Sequence, residues 1–452
     1  MRGTLDRRSF LTAAMAGPAF GARPAVSVAF FQADVTPALG APLCLGLVDP
    51  AKQIVDPLTA RGVVLHPAGQ APIVLCAVDW VTIAAEGHDD WRTELAKAAG
   101  TDAKRVAVHT LHQHDAPGYD PGAERLMAAQ GASGEIFHLE STRKALRNTA
   151  EAVREARRAP ATHIAIGKAE VREVASNRRV LGADGKVKYV RYSATRDAAA
   201  RAEPEGLVDR TLRQIAFFNG AKPLGVLTYY ATHPQSYYGK GGVSWDFVGM
   251  AREMRAKALG IPHVHFNGAS GNVTAGKYND GAPENRAALA SRLADGMREA
   301  WESAVKEPLT ANSVAWYSSP LRLPNRDADT REQGARIIAD KSRPLRERLN
   351  WARDMVSFER LPSGKMDLAA LTLGSARVIH LPGESFIEYQ LAAQQMRPAN
   401  FVCTAAYGDC SPGYIGTTVS YGQGGYEVRR VSRTAPEVEG VLMGAMREIL
   451  SR

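Results

Sequence analysis

The sequence predicts a mixed α/β fold, and three observations carry that reading. Short apolar runs of strand length alternate with longer amphipathic stretches from Val26 onward. The 452 residues, 45% of them apolar, suffice for a full globular core, housed in one large domain or in two tightly fused ones. No internal repeat, low-complexity tract or long polar linker marks a boundary, so residues 26–452 are expected to form one undivided unit.

Taken in chain order, the N-terminus comes first. Paired Arg7 and Arg8 precede a short apolar run, Phe10 to Phe20, and then small residues around Ala22 to Ala25. This resembles a twin-arginine export signal over residues 1–25, the plainer alternative being a short helix that stays attached. The run is too short to span a bilayer, and no later segment has the unbroken apolar length of a membrane span. The expected location is therefore periplasmic or secreted.

Strands are expected in "VSVAFFQADV", "GVVLHP", "PIVLCAVDWVTI", "RVAVHTL", "HIAIGKAEV", "RQIAFFN", "PLGVLTYYATHP", "HVHFNG", "VAWYSSPLRL", "LAALTLGSARVIHLPG" and "NFVCTAAY". Helices are expected over Asp89 to Ala99, Glu140 to Ala156, Asp246 to Ala258, Glu284 to Lys306 and Thr330 to Phe358, with a helix-like C-terminus, "VEGVLMGAMREILSR". The glycine-rich pieces "GYDPGAERLMAAQGASGE" and "GYIGTTVSYGQGGYE" read as long surface loops.

The formal charge of +9 invites a nucleic-acid reading, but the basic residues are interleaved with acids, as in "DKSRPLRERLNWARD". Such stretches read as solvated helix faces. No nucleic-acid-reading motif accompanies them, so no nucleic-acid partner is expected. Of the four cysteines, Cys403 and Cys410 are near enough in sequence to pair, while Cys44 and Cys76 lie among apolar residues; the pairing stays open.

The chemistry concentrates at strand ends. "VAVHTLHQHDAP" carries three of the chain's eleven histidines, and in an extended strand His112 and His114 point to the same side. Such a pair is either a metal chelate, a ligand beside a proton-transfer group, or a strand-end turn. A second strand runs into Thr232-His233-Pro234, and a third ends at Pro382-Gly383 before presenting Glu384. Three strand ends offering His, His and Glu form the two-histidine, one-carboxylate set used by zinc hydrolases.

These segments resemble the neutral/alkaline, non-lysosomal ceramidase family, in order over most of the chain beyond the N-terminal signal. The resemblance rests on "ADVTPALGAPLCLGL", "LHQHDAP" against a Thr-His-Thr-His-Ser-x-Pro block, "THP", "LPGE", and "GYIGTTVSYGQGGYE" with Tyr414 and Tyr426 at the family's spacing. It implies a mixed-sheet catalytic domain with flanking helices and one zinc ion held by His112, His233, Glu384 and Tyr414. It further implies proton transfer by His114 and a hydroxyl donor, Tyr426, toward a developing oxyanion.

The chain departs from the family in "GNVTAG", which stands where the family has Gly-Asp-Val-Ser-Pro-Asn. Thr274 keeps a hydroxyl there and is a catalytic candidate for positioning water; Asn272 replaces the acid and is a candidate substrate contact. Asp115, in "HQHD" where the family has "HTHS", either orients an imidazole or caps a turn. Arg178 is a further substrate candidate, although two arginines in "SNRRV" also read as a solvated loop. Asp246 is either a support for the metal ligands or a helix cap, and His109, His263 and His265 read as structural. Ceramidases of the family carry an additional C-terminal immunoglobulin-like domain, which is not expected here because the last stretch reads as a helix with no strand-rich extension.

The expected function is cleavage of an N-acyl amide, ceramide-like or otherwise, by metal-activated water. The alternatives are the same core acting on an ester or a carbohydrate-derived substrate, or a secreted binding protein without turnover.

Overall fold

The computed structural model describes residues 24–326 and 330–452. Nearly all of the export signal expected over residues 1–25 lies outside the described residues.

Three larger sheets follow one plan. In the first, Val26–Asp34, Thr59–Pro67 and Ile73–Val78 run antiparallel in sequence, and helix Glu86–Ala99 then carries the chain to Val106–Thr110, parallel to Ile73–Val78. The second repeats this with His163–Glu170, Thr211–Asn219, Lys222–Tyr230, helix Asp246–Leu259 and the parallel strand His263–Asn267. The third uses Val314–Leu321, Met366–Leu373, Ala376–His380, helix Ile387–Met396 and the parallel strand Phe401–Ala405. A parallel pair cannot be closed by a tight hairpin, which is why each fourth strand follows a helical crossover. The sequence carries no internal repeat, so the shared plan is one of chain path.

Each sheet's strands bury both faces, and the period-two alternation divides their side chains between layers. Val63, Leu65 and Leu75 enter a central core with Phe217, Leu227, Val378 and Cys403 from the other two sheets. Val64, Val74 and Cys76 point the other way, under helices Glu86–Ala99 and Leu139–Glu155. Leu368, Ala370 and Ile379 of the third sheet meet Leu442 and Met446 of the C-terminal helix Val438–Ser451. Each such large aliphatic side chain contributes about 1.5–3 kcal/mol relative to exposure.

The three parallel strands meet at their carboxyl ends. The Thr110 N–H donates to the Tyr407 carbonyl at 2.9 Å, and the Ala406 N–H to the Asn267 carbonyl at 2.9 Å. Strand-end loops of all three sheets therefore share one place, the position where α/β sheets collect ligands.

Several expected elements differ. The long helix over Thr330 to Phe358 is two helices, Thr330–Ala339 and Leu345–Arg360, because Pro344 lacks the N–H to continue the first and starts the second. The helix from Glu284 ends at Glu302, and Val305–Pro308 becomes an edge strand. The first glycine-rich piece contains helix Pro121–Ala128, capped by Asp120, whose carboxylate accepts the Ala123 N–H at 3.1 Å. The second is buried over residues 413–417 and exposed at Thr418, Val419, Gly422 and Tyr426, with a strand at Tyr414–Ile415 and a helix at Thr418–Gln423. All four cysteines are buried free thiols. Among the described residues no helix is long and apolar enough to cross a membrane.

Candidate active site

Each of the three sheets sends one side chain to the junction. His112 follows the first sheet's parallel strand, and its N–H is held by the Trp80 carbonyl at 2.9 Å in a left-handed conformation, φ 69°. That region is costly for a residue with a Cβ and persists where the surroundings enforce it. His233 follows Lys222–Tyr230, its N–H bound to the Val273 carbonyl at 3.0 Å. Glu384 follows Ala376–His380 after Gly383, which has a positive φ of 54° and where an added Cβ would lie only 2.6 Å from the Gly413 carbonyl oxygen. Gly271 is equally constrained: a Cβ there would lie 2.1 Å from the Glu384 carbonyl.

The ligand atoms of His112, His233 and Glu384 lie within 4.8 Å of one another. His112 Nδ1 lies 2.7 Å from the Val81 carbonyl, and His233 Nδ1 lies 2.8 Å from that of Ser270. A carbonyl only accepts, so both Nδ1 atoms carry hydrogen and, in a neutral ring, both Nε2 atoms present lone pairs. Those lone pairs face Glu384 Oε2 at 3.2 and 3.3 Å. Acceptor thus faces acceptor unless a cation lies between them, and this donor set of two imidazoles and a carboxylate fits zinc. Burial alone would raise the Glu384 carboxyl, but positive charge on His112 and His233, when those rings are protonated, holds it well below the usual range.

Tyr414 joins through its backbone. Residues Glu384–Ser385 pair in parallel with Tyr414–Ile415, with Glu384 opposite Tyr414, and the phenol oxygen reaches His233 Nε2 at 3.3 Å. Arg178 donates to that oxygen from Nη1 at 3.0 Å, leaving the phenol's proton free to point or depart elsewhere. Arg178 is buried, not solvated. Its guanidinium carbon lies 5.3 to 5.7 Å from the ring centroids of Tyr192, Tyr414 and Tyr426. It shares the fully buried Glu427 with Arg179, at 3.0 and 2.8 Å.

His112, His114, Glu384, Tyr414 and Tyr426 line one cavity of about 320 Å³. The His114 ring packs edge-on to Tyr238 at 4.5 Å, and its buried Nδ1 has no protein partner. Burial and the imidazoles of His112 and His233 push its pKa well down, so it is a neutral base. Tyr426 is 38% exposed, within reach of a ligand, and burial of the remainder pushes its phenol up to about 12 against the pull of Arg178.

Four expected site residues are positioned otherwise. Thr274 spends its hydroxyl on the carbonyls of Arg191 and Tyr192, at 3.0 and 3.3 Å, fixing the segment that carries Tyr192. Asn272 accepts the Ile387 N–H and donates to Glu388, bracing the start of the helix after Glu384. Asp115 orients no imidazole; it accepts the Gly239 N–H at 2.8 Å and so tethers the loop bearing Tyr238. Arg178 lies beneath the tyrosines rather than on the cavity wall. Asp246 binds Ser236 and Arg286 at the start of its helix. His109, His263 and His265 are buried and hydrogen-bonded within the fold, as expected of structural residues.

Sequence reading missed Tyr407, Tyr238, Arg346 and Arg353. Tyr407 lies 4.8 Å from the His112 ring and shares a 2.7 Å hydrogen bond with Ser270; it follows a strand end as the ligands do, which was its available signal. Arg353 corrects the solvated reading of "DKSRPLRERLNWARD", because it is partly buried and lines the cavity, whereas Arg346 lines the same cavity and is exposed as expected.

Fold and site together define a class: an α/β protein with a two-histidine, one-carboxylate cluster where three sheets meet. Among solved structures the chain is similar to the neutral ceramidase from Pseudomonas aeruginosa, with a TM-score of 0.69 and 15% identity, covering 95% of this chain and 74% of that one. It is also similar to a ceramidase complexed with C2, with a TM-score of 0.68 and 14% identity over 95% and 75% of the respective chains. At these identities the likeness is one of fold: the chain has a neutral-ceramidase-like α/β fold. No protein-family model matches the chain, and no curated protein matches it in sequence.

Proposed function

We propose that this chain is an exported, zinc-dependent hydrolase that cleaves an N-acyl amide. One observation carries the reading: the lone pairs of His112 and His233 converge with the Glu384 carboxylate beside a cavity that also presents His114 and Tyr426. The ceramidase folds support it, and they make ceramide one substrate to test.

His112, His233, Glu384 and Tyr414 would hold the zinc ion, which when bound supplies Lewis acidity toward water and a carbonyl oxygen. His114 takes the proton from the attacking water as the new C–O bond forms. Tyr426 donates its hydroxyl hydrogen to the carbonyl oxygen as negative charge develops there. His114 then delivers its proton to the leaving nitrogen as the C–N bond breaks, giving a carboxylic acid and an amine. Arg178 holds Tyr414 in place throughout, and the Asp115-tethered loop keeps Tyr238 against His114. Export rests on the arginine pair and apolar run at the N-terminus.

The test is elemental analysis of the purified protein with a hydrolysis screen of N-acyl sphingoid, N-acyl amino acid, ester and glycoside substrates, before and after chelation. About one zinc per chain with chelator-sensitive amide cleavage is expected. Full amide cleavage by metal-free protein overturns the mechanism, and cleavage of esters or glycosides alone overturns the amide assignment.

A further inference from the structure

Four arginines line the same cavity as His112 and His114. Helix Leu345–Arg360 turns Arg346, Asn350 and Arg353 inward at i, i+4 and i+7, and Arg430 and Arg433 enter from the C-terminal segment. Asp354 is taken by Arg433 at 2.7 Å and neighboured by Arg430 at 3.8 Å. Glu384 is taken by the histidines. The side chains of Arg346 and Arg353 make no hydrogen bond or ion pair among the described residues. Asp120, a carboxylate near Arg353, caps helix Pro121–Ala128 with Oδ1 and makes no ion pair with the arginine.

Asp120 and Asp354 attract Arg353 without pairing with it. Arg353 is partly buried, and burial together with nearby Arg433 pushes its pKa down, so its charge is held against both desolvation and repulsion. Arg346 stands in the first turn of its helix, where the macrodipole disfavours a cation. Arg346 is exposed where it lines the cavity, but Arg353 is partly buried there, and a cation so placed without an ion-pair partner points to a ligand that supplies the missing negative charge. Leu45, Leu47 and Val48 provide an apolar surface in the same cavity.

We propose that the substrate of this cavity carries an anionic oxygen group, a carboxylate or a phosphate, that docks on Arg346 and Arg353 while its scissile amide lies beside His114 and Glu384. This rests on the hydrolase reading above and narrows it, because a neutral N-acyl lipid leaves both arginines unpaired. Planar guanidinium groups match such oxygens in geometry as well as charge. The apolar surface receives the hydrocarbon part.

Two matched pairs test it: N-octanoylglycine against N-octanoylglycinamide, and phosphorylated N-octanoylethanolamine against its free alcohol, with octanoate release as the readout. The wild-type protein is expected to favour one or both anionic members by about 10- to 100-fold in kcat/KM, chiefly through KM. Whichever pair shows the larger ratio identifies the group. In the Arg346→Gln, Arg353→Gln double variant the ratio collapses toward one. Equal kcat/KM within both pairs, or a ratio that survives in the double variant, overturns the proposal. Arginine-dependent binding of octanoate without any preference between paired substrates also overturns it, since the wall would then hold product. If no substrate of either charge is cleaved, the hydrolase reading fails, and calorimetric titration with octyl sulfate and octanol still judges the wall. Octyl sulfate bound by wild-type and metal-stripped protein but not by the double variant supports the anion site; equal affinity of wild type and double variant for it overturns the site.

Discussion

His109 and His112 lie three residues apart on one strand and its exit, yet they end in opposite states. His109 places Nδ1 at 2.7 Å from the Ala406 carbonyl and Nε2 at 2.9 Å from His380 Nδ1, so both ring nitrogens are occupied within the fold. His112 satisfies Nδ1 on Val81 and turns Nε2 toward Glu384, an acceptor that the neutral ring cannot bond without a shared cation. Both rings are buried and both belong to histidine clusters. What separates a structural histidine from a candidate ligand is the lone pair left over after the backbone has been satisfied.

The sharpest way to break this contrast is to remove each ring. His112→Ala or His233→Ala is expected to lose bound zinc and at least about 10³-fold in turnover, matching chelation of the wild type. Elemental analysis beside an amide-hydrolysis assay checks it, and zinc retained in both variants would mean that the cluster is not the binding site. Tyr426→Phe should keep its zinc and lose about 10- to 100-fold in kcat, because only the donor to the carbonyl oxygen is removed. An unchanged kcat removes Tyr426 from the chemistry.

His109→Ala is expected to keep its zinc and cost about 1–3 kcal/mol of stability, since it leaves His380 and the Ala406 carbonyl without a partner. Denaturant unfolding with metal analysis reads both quantities, and zinc loss from a folded His109 variant would erase the distinction between the two rings. The smallest effect concerns Asp115. Burial pushes its carboxyl up to about 6, with the Gly239 N–H pulling the other way. Between about pH 4 and 6 the native state keeps a proton that the unfolded chain has lost, so this group's contribution to stability falls as pH rises through that window. Asp115→Asn should therefore match the wild type near pH 4 and exceed it at pH 7, by at most about 3 kcal/mol. Melting curves across that range give the sign, and a variant less stable at pH 7 would contradict it.

Much of this was legible in the sequence. The α/β alternation, the strands and the three strand-end side chains follow from periodicity and from Pro and Gly placed after apolar runs. The roles of Thr274, Asn272 and Asp115 were not legible, because a short motif names residue types without saying which way each side chain turns. Thr274, on the short strand Val273–Thr274, does not line the cavity, and its hydroxyl is bonded to the Arg191 carbonyl. Arg353 was missed for the converse reason: in sequence it sits among alternating charges, and only tertiary packing turns that helix face inward. Helix Pro121–Ala128 hid behind its glycines, although Asp120-Pro121 is a helix-start signal.

The convergence of one ligand from each sheet also bears on how the molecule is made. His112, His233 and Glu384 span much of the chain, so no two-sheet folding intermediate contains the site, and any ion that favours the complete arrangement acts as a staple across all three layers. At a hundredfold excess over its dissociation constant such an ion adds about 2.7 kcal/mol to the assembled state alone. An ion that needs all three ligands would thus bind only after the three sheets have assembled, and its binding would report completion of the fold.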